Sequence, residues 1–128
     1  MAGMRITGFA AGPFQTNCYV VANGDGAIVI DPGLGAHDVV ARLADEKGFT
    51  VEAVVLTHGH IDHIRDAAAF GVETFVHPAD AFMLLRGDGV SEQARELHDA
   101  SGMQPIDTPT PLADGQVLTV AGLQLRVV

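Results

Sequence analysis

A chain of 128 residues, 48% apolar but only 5% aromatic and without tryptophan, carries one domain's worth of core built from Val, Leu, Ile and Ala, and a second domain within it is not expected. Its 7 basic and 16 acidic side chains leave a formal charge of −9. With no Lys/Arg cluster to offset it, that charge excludes nucleic acid as a partner, although a bound divalent cation would still be the largest charge in its own site.

Residues 4–9 alternate apolar and polar as a half-buried strand does, and residues 17–22 and 27–30 are two further β-rich runs. Between the latter two, Asn23-Gly24-Asp25-Gly26 is rich in residues that accept positive φ and predicts an antiparallel hairpin. Cys18 falls in the first of these runs and reads as a buried strand residue, not a nucleophile. As the lone cysteine it forms no internal disulfide. No secretory signal follows Met1, and no apolar run reaches the roughly 20 residues of a membrane helix, so a cytoplasmic protein without membrane contact is expected.

Asp31-Pro32-Gly33 leads into a helix over 38–47, with Val39, Val40 and Leu43 on one side, Asp38 at its start, Lys47 near its end and Gly48 beyond. Residues 51–56 predict a strand, and the apolar run 53–56 predicts burial on both faces. A short helix over 64–70, a strand over 73–76, a helix over 78–85 with Pro78 at its first position, a glycine-rich loop over 86–90 and a helix over 92–99 capped by Ser91 follow. Pro105, Pro109 and Pro111 predict an extended loop, and residues 117–120 and 123–128 a final hairpin around Ala121-Gly122. The sum is one α/β domain over 1–128, a mixed sheet with helices packed on it.

Chemistry concentrates in Thr57-His58-Gly59-His60-Ile61-Asp62-His63, directly after the buried strand. In extended backbone, residues two apart point the same way, so His58 and His60 can present imidazoles to one point, with Gly59 letting the chain bend between them. Neutral imidazole suits zinc. Asp62 and His63 follow on the next turn and supply either a second metal centre or a base that orients metal-bound water, whose pKa falls toward about 7. The other histidines read as structural: His77 at a strand end, His37 and His98 as surface residues at helix ends. Gly33-Leu34-Gly35 is a weak match to a dinucleotide loop, since position 38 is Asp. Asp31 reads better as a carboxylate near the metal loop that fixes its backbone or its ligands.

Taken together, Asp31-Pro32-Gly33 after a strand and His58-x-His60-x-Asp62-His63 after the next resemble the metallo-β-lactamase superfamily, and Thr16-Asn17-Cys18-Tyr19-Val20 looks most like its glyoxalase II-type hydrolases. The resemblance covers nearly the whole chain. It implies an αββα sandwich, with His58 and His60 in a first metal site, Asp62 and His63 in a second, Asp62 also orienting the attacking hydroxide, and the family's structural aspartate at Asp31. It implies a zinc-dependent hydrolase, with iron or manganese as alternatives, acting on the acyl carbonyl of a small molecule, a thioester above all. His60 favours zinc over the diiron oxidoreductase branch, where a carboxylate commonly takes that position.

Two departures stand out. Ile64-Arg65-Asp66 follows the motif where many members carry a glycine pair, and the family's third histidine, bridging aspartate and final histidine lie downstream of a hairpin like 117–128. The resemblance therefore implies the N-terminal half of the sandwich, impaired or inactive alone, with an apolar sheet face left open through which copies would associate. An iron-dependent sulfur dioxygenase of the same fold, and a non-catalytic metal-binding or self-associating fragment, are the competing expectations.

Overall fold

The computed structural model describes residues 4–128. Three strands, β1 (Met4–Ala11), β2 (Thr16–Asn23) and β3 (Gly26–Ile30), run as an antiparallel meander, because Gly24-Asp25 closes a two-residue hairpin turn with Gly24 at φ 64°. Helix α1 (Ala36–Lys47) then crosses to β4 (Thr50–Val55), which lies parallel to β3. Strands β5 (Glu73–Val76) and β6 (Thr110–Pro111) add in parallel, giving one mixed sheet in the order β1-β2-β3-β4-β5-β6. The predicted strands and the mixed α/β class hold; β6 was expected as extended loop, and its two residues pair with β5 despite Pro111 because they sit at the sheet edge.

Alternation along the strands sorts the core into two layers, and a register shift between β3 and β4 at Ala27/Ile28 puts Val51 and Ala53 on opposite faces. Val54 and Leu56 join Val29 and Val76 against Val40, Ile64, Ala67 and Leu84 on the helical side. Ala53 turns to the other face with Val21, Ile28 and Phe75. That opposite face is not bare, as the half-sandwich expectation had it. The hairpin of β7 (Val117–Val120) and β8 (Leu123–Arg126) folds over it through Leu118 and Leu123, and Asn23 Nδ2 donates to Ala121 O at 3.2 Å to pin its turn. Toward the β1 end of this face, Met4, Ile6 and Tyr19 are exposed among the described residues.

Helix α1 starts two residues before the predicted 38–47, whereas the later helices are shorter and more broken than the periodicity predicts. The expected 64–70 helix is α2 (Ile61–Ile64), starting three residues earlier, followed by a 3₁₀ turn over Ala67–Phe70. The expected 78–85 helix splits into a 3₁₀ turn (Pro78–Asp80) and α3 (Met83–Arg86). Helix α4 (Glu92–Leu97) has its predicted cap, Ala94 N donating to Ser91 Oγ at 3.1 Å. His98, expected at the surface, is 1% exposed: its ring folds back to Ala94 O at 2.8 Å and Phe14 covers it edge-on at 4.6 Å. No helix among the described residues is long and apolar enough to cross a membrane.

Candidate metal centre

Parallel strands deliver their C-terminal ends side by side, and in open α/β sheets that edge is where ligands bind. Here β3 delivers Asp31, β4 delivers Thr57 and His58 through Leu56, and β5 delivers the turn from His77 to Asp80. Asp31 N donates to Val55 O at 3.3 Å and Leu56 N to Phe75 O at 2.9 Å, so the three ends are tied to one another before any side chain is placed.

Asp31 is the hub. It is 5% exposed and left-handed at φ 56°, a conformation that Asp tolerates better than most residues. Its Oδ1 accepts Thr57 N–H at 2.8 Å, and its Oδ2 accepts Thr57 Oγ1 at 2.5 Å and His63 Nδ1 at 2.9 Å. A carboxylate only accepts, so the His63 proton sits on Nδ1 and the Nε2 lone pair is left facing outward. Nε2 lies 3.4 Å from Asp62 Oδ2, and that same oxygen accepts Thr16 Oγ1 at 2.9 Å. Gly33 is required beside this hub, because a Cβ there would stand 2.3 Å from Asp62 O.

The three motif imidazoles are neighbours. His58 lies 4.1 Å from His63 and 4.9 Å from His60 between ring centroids. Burial, then the adjacent His63, hold His58 below its ordinary imidazole pKa, outweighing Asp31 and Asp62, so its nitrogens stay neutral and able to ligate near neutral pH. His60 ends the loop as the residue preceding α2, and its carbonyl accepts His63 N at 2.8 Å, which sets the turn that carries Asp62 and His63.

Asp31, His58 and His63 each bring one potential ligand atom within 4.8 Å of the others. Of these, Asp31 is the poorest ligand, since both oxygens already serve Thr57 and His63. The donors not already engaged are Nε2 of His58 and His63, the His60 ring and the second oxygen of Asp62, since His63 Nδ1 is bonded to Asp31 and His58 Nδ1 stands 3.0 Å from Thr57 Oγ1; this nitrogen-and-oxygen set fits a divalent ion such as zinc, iron or manganese. His37 and His77 lie apart from this cluster: His37 stands against Phe70, and His77 Nδ1 accepts Ala79 N at 3.1 Å.

Three contributors were not singled out by sequence reasoning. Thr57 precedes the first histidine and could have been suspected from its place at the strand end. Thr16 entered only as part of the glyoxalase II-like strand, without a role, and Asp80 carries no local signal: they reach Asp62 and Gly59 from 46 and 21 residues away.

The family model described as "Metallo-beta-lactamase superfamily" matches residues 11–127. An uncharacterized protein of Mycobacterium tuberculosis is 52% identical over 87 residues, which are 63% of this chain and 39% of that protein. Hydroxyacylglutathione hydrolase GloC of Haemophilus influenzae is 29% identical over 124 residues, 89% of this chain and 55% of the hydrolase. The crystal structure of TTHA1623 in a di-iron-bound form superimposes with a TM-score of 0.69 at 29% identity, covering 88% of this chain and 60% of that one. The chain thus spans between 39% and 60% of the length of these three proteins.

Proposed function

Because the chain belongs to the metallo-beta-lactamase superfamily, whose members are in general metal-dependent hydrolases, we propose that it is a metal-dependent hydrolase domain of the glyoxalase II type, acting at the carbonyl of a small acyl thioester. His58, His60, Asp62 and His63 would hold the metal, zinc by first choice. Bound there, a divalent ion supplies Lewis acidity toward water and a carbonyl oxygen. The chain's own residues do the rest. Asp31 fixes the His63 tautomer, Thr57 locks Asp31, and Thr16 holds one oxygen of Asp62, which would keep the carboxylate turned so that it orients the attacking oxygen.

The observation that carries this reading is the bond from His63 Nδ1 to Asp31, which turns Nε2 toward Asp62 in a site beside two more imidazoles. The thioester assignment is supported by the hydroxyacylglutathione hydrolase relative and by the Thr16-Asn17-Cys18-Tyr19-Val20 strand. Three imidazoles and one carboxylate are few donors for two four-coordinate ions, so we expect turnover by the 128-residue chain alone to be weak. The test is hydrolysis of a glutathione thioester by the chain loaded with zinc, iron or manganese, with metal content measured in parallel. Metal uptake lost in His58→Ala and His60→Ala supports the reading; a chain that takes up none of the three metals refutes it.

An iron-loaded site with sulfur dioxygenase activity is the second reading, favoured by the di-iron form of TTHA1623. Iron in the chain purified without metal supplementation, together with oxygen consumption on a persulfide and no thioester hydrolysis, would select it.

A further inference from the structure

We propose that Asp80, which lies outside the histidine motif, is a positioning residue that holds Gly59 so that His58 and His60 converge on one ion; the inference rests on the reading of those two histidines as ligands. Strand β5 ends at Val76, and the next residues form a tight turn that is closed twice without the Asp80 side chain. Ala79 N donates to His77 Nδ1 at 3.1 Å, and Asp80 N donates to His77 O at 3.0 Å. Pro78 presets the first position of that turn. The Asp80 carboxylate is therefore free of any duty in its own turn, and its Oδ2 accepts Gly59 N–H at 2.9 Å.

The two segments also touch through their main chains. A Cβ on Gly59 would stand 2.9 Å from Asp80 O and 2.9 Å from Met83 Sδ, so Gly59 is buried against this turn with no room for a side chain. Its amide is the centre of the His58-Gly59-His60 triplet, and the dihedral angles at Gly59 decide whether two imidazoles face one point or diverge. His58 has a side-chain neighbour of its own in Thr57 Oγ1 at 3.0 Å. His60 is exposed, so its direction follows the backbone that carries it. A charged acceptor on the Gly59 amide is the strongest kind of neutral-donor hydrogen bond available to fix that backbone.

The test compares the 128-residue chain with Asp80→Ala and Asp80→Asn, reading zinc affinity against a chromophoric chelator and, in the metal-free chain, hydrogen exchange of the Gly59 amide. Asp80→Ala is expected to weaken zinc binding by about tenfold or more, the range found for groups that orient ligands. Asp80→Asn, which keeps a carbonyl acceptor, is expected to restore most of the affinity. The Gly59 amide should be protected in the unaltered chain and in Asp80→Asn and exchange freely in Asp80→Ala, while amides of β3 keep their protection. Unchanged zinc affinity in a folded Asp80→Ala variant overturns the inference and leaves the proposed metal site standing. So does an unprotected Gly59 amide in the unaltered chain, a result that needs no variant to fold. Failure of the unaltered chain to take up zinc removes the site itself, and the inference falls with it.

Discussion

Replacing Asp31 by Asn and by Ala should separate two roles that the structure joins in one carboxylate. Asp31 is buried, and its two oxygens accept three hydrogen bonds, from Thr57 N–H, Thr57 Oγ1 and His63 Nδ1. Asp31→Ala leaves all three donors without their acceptor; Thr57 is exposed and His63 partly buried, so water recovers part of the loss, and a cost of about 2–3 kcal/mol in stability follows. Asp31→Asn is nearly isosteric and suits the left-handed φ of 56° at least as well. The main-chain N–H of Thr57 cannot invert, so the amide oxygen must stay on it, which places the amide NH₂ against His63 Nδ1. That nitrogen must then become an acceptor, the His63 proton moves to Nε2, and the lone pair proposed for the metal is lost. We expect Asp31→Asn to cost only about 1–2 kcal/mol in urea unfolding but about 10–100-fold in zinc affinity. Long-range ¹⁵N–¹H correlation of the His63 ring reads the tautomer directly. Full zinc affinity in Asp31→Asn, with His63 still protonated on Nδ1, would show that the carboxylate does not orient this ligand.

Burial first, then Asp31 and Asp66, push the Cys18 thiol from an ordinary 9.0 up to about 12. Between those values the unfolded chain has released its proton and the folded chain has not, so stability should fall by about 1.4 kcal/mol per pH unit above pH 9; Cys18→Ala should show a shallower decline, and an identical slope in both chains would contradict the assignment. His58 is shifted the other way, so below its ordinary value the unfolded chain binds a proton that the folded chain refuses. The metal-free chain should therefore lose stability as pH falls below about 6.5, and His58→Gln should lose less, as urea midpoints across pH 5 to 8 would show. Thr16→Val removes the 2.9 Å donor to Asp62 without changing shape, and should cost about 1 kcal/mol in unfolding together with weaker metal binding. Leu118→Ala opens a gap between the hairpin and Ile28, Ala53 and Phe75, and should cost about 2–4 kcal/mol in denaturant unfolding without altering zinc affinity.

Much of this architecture is legible from local pattern. The alternation in residues 4–9, the Gly24-Asp25 turn and the apolar run ending at Leu56 each report a strand that the fold contains, because period-two burial and turn chemistry are decided by neighbours in sequence. Helices were read less well where their residues serve the site. Residues 61–70 break into α2 and a 3₁₀ turn because Asp66 is drawn away: its N–H donates to Pro32 O and its Oδ2 accepts His37 N, tying the segment to the start of α1. The surface expectation for His98 failed for a similar reason, since Phe14, from the distant β1–β2 turn, covers it. The motif announced its own imidazoles and carboxylate. Their supports, Thr16 from β2 and Asp80 from the turn after β5, reach the loop across 46 and 21 residues, and no local signal encodes a contact of that kind. The hairpin is a middle case: its strands are plain in sequence, but its placement over Val21, Ile28 and Phe75 is a tertiary choice.

The most direct measurement is anomalous diffraction at the zinc edge from crystals of the 128-residue chain grown with the metal. A peak within about 2.0–2.1 Å of imidazole nitrogens from His58, His60 or His63, with Asp31 still bonded to His63 and not to the metal, is the predicted result. Density showing the imidazoles ordered and turned apart with no anomalous peak between them, or a peak liganded by Asp31 in place of the motif histidines, would contradict the account.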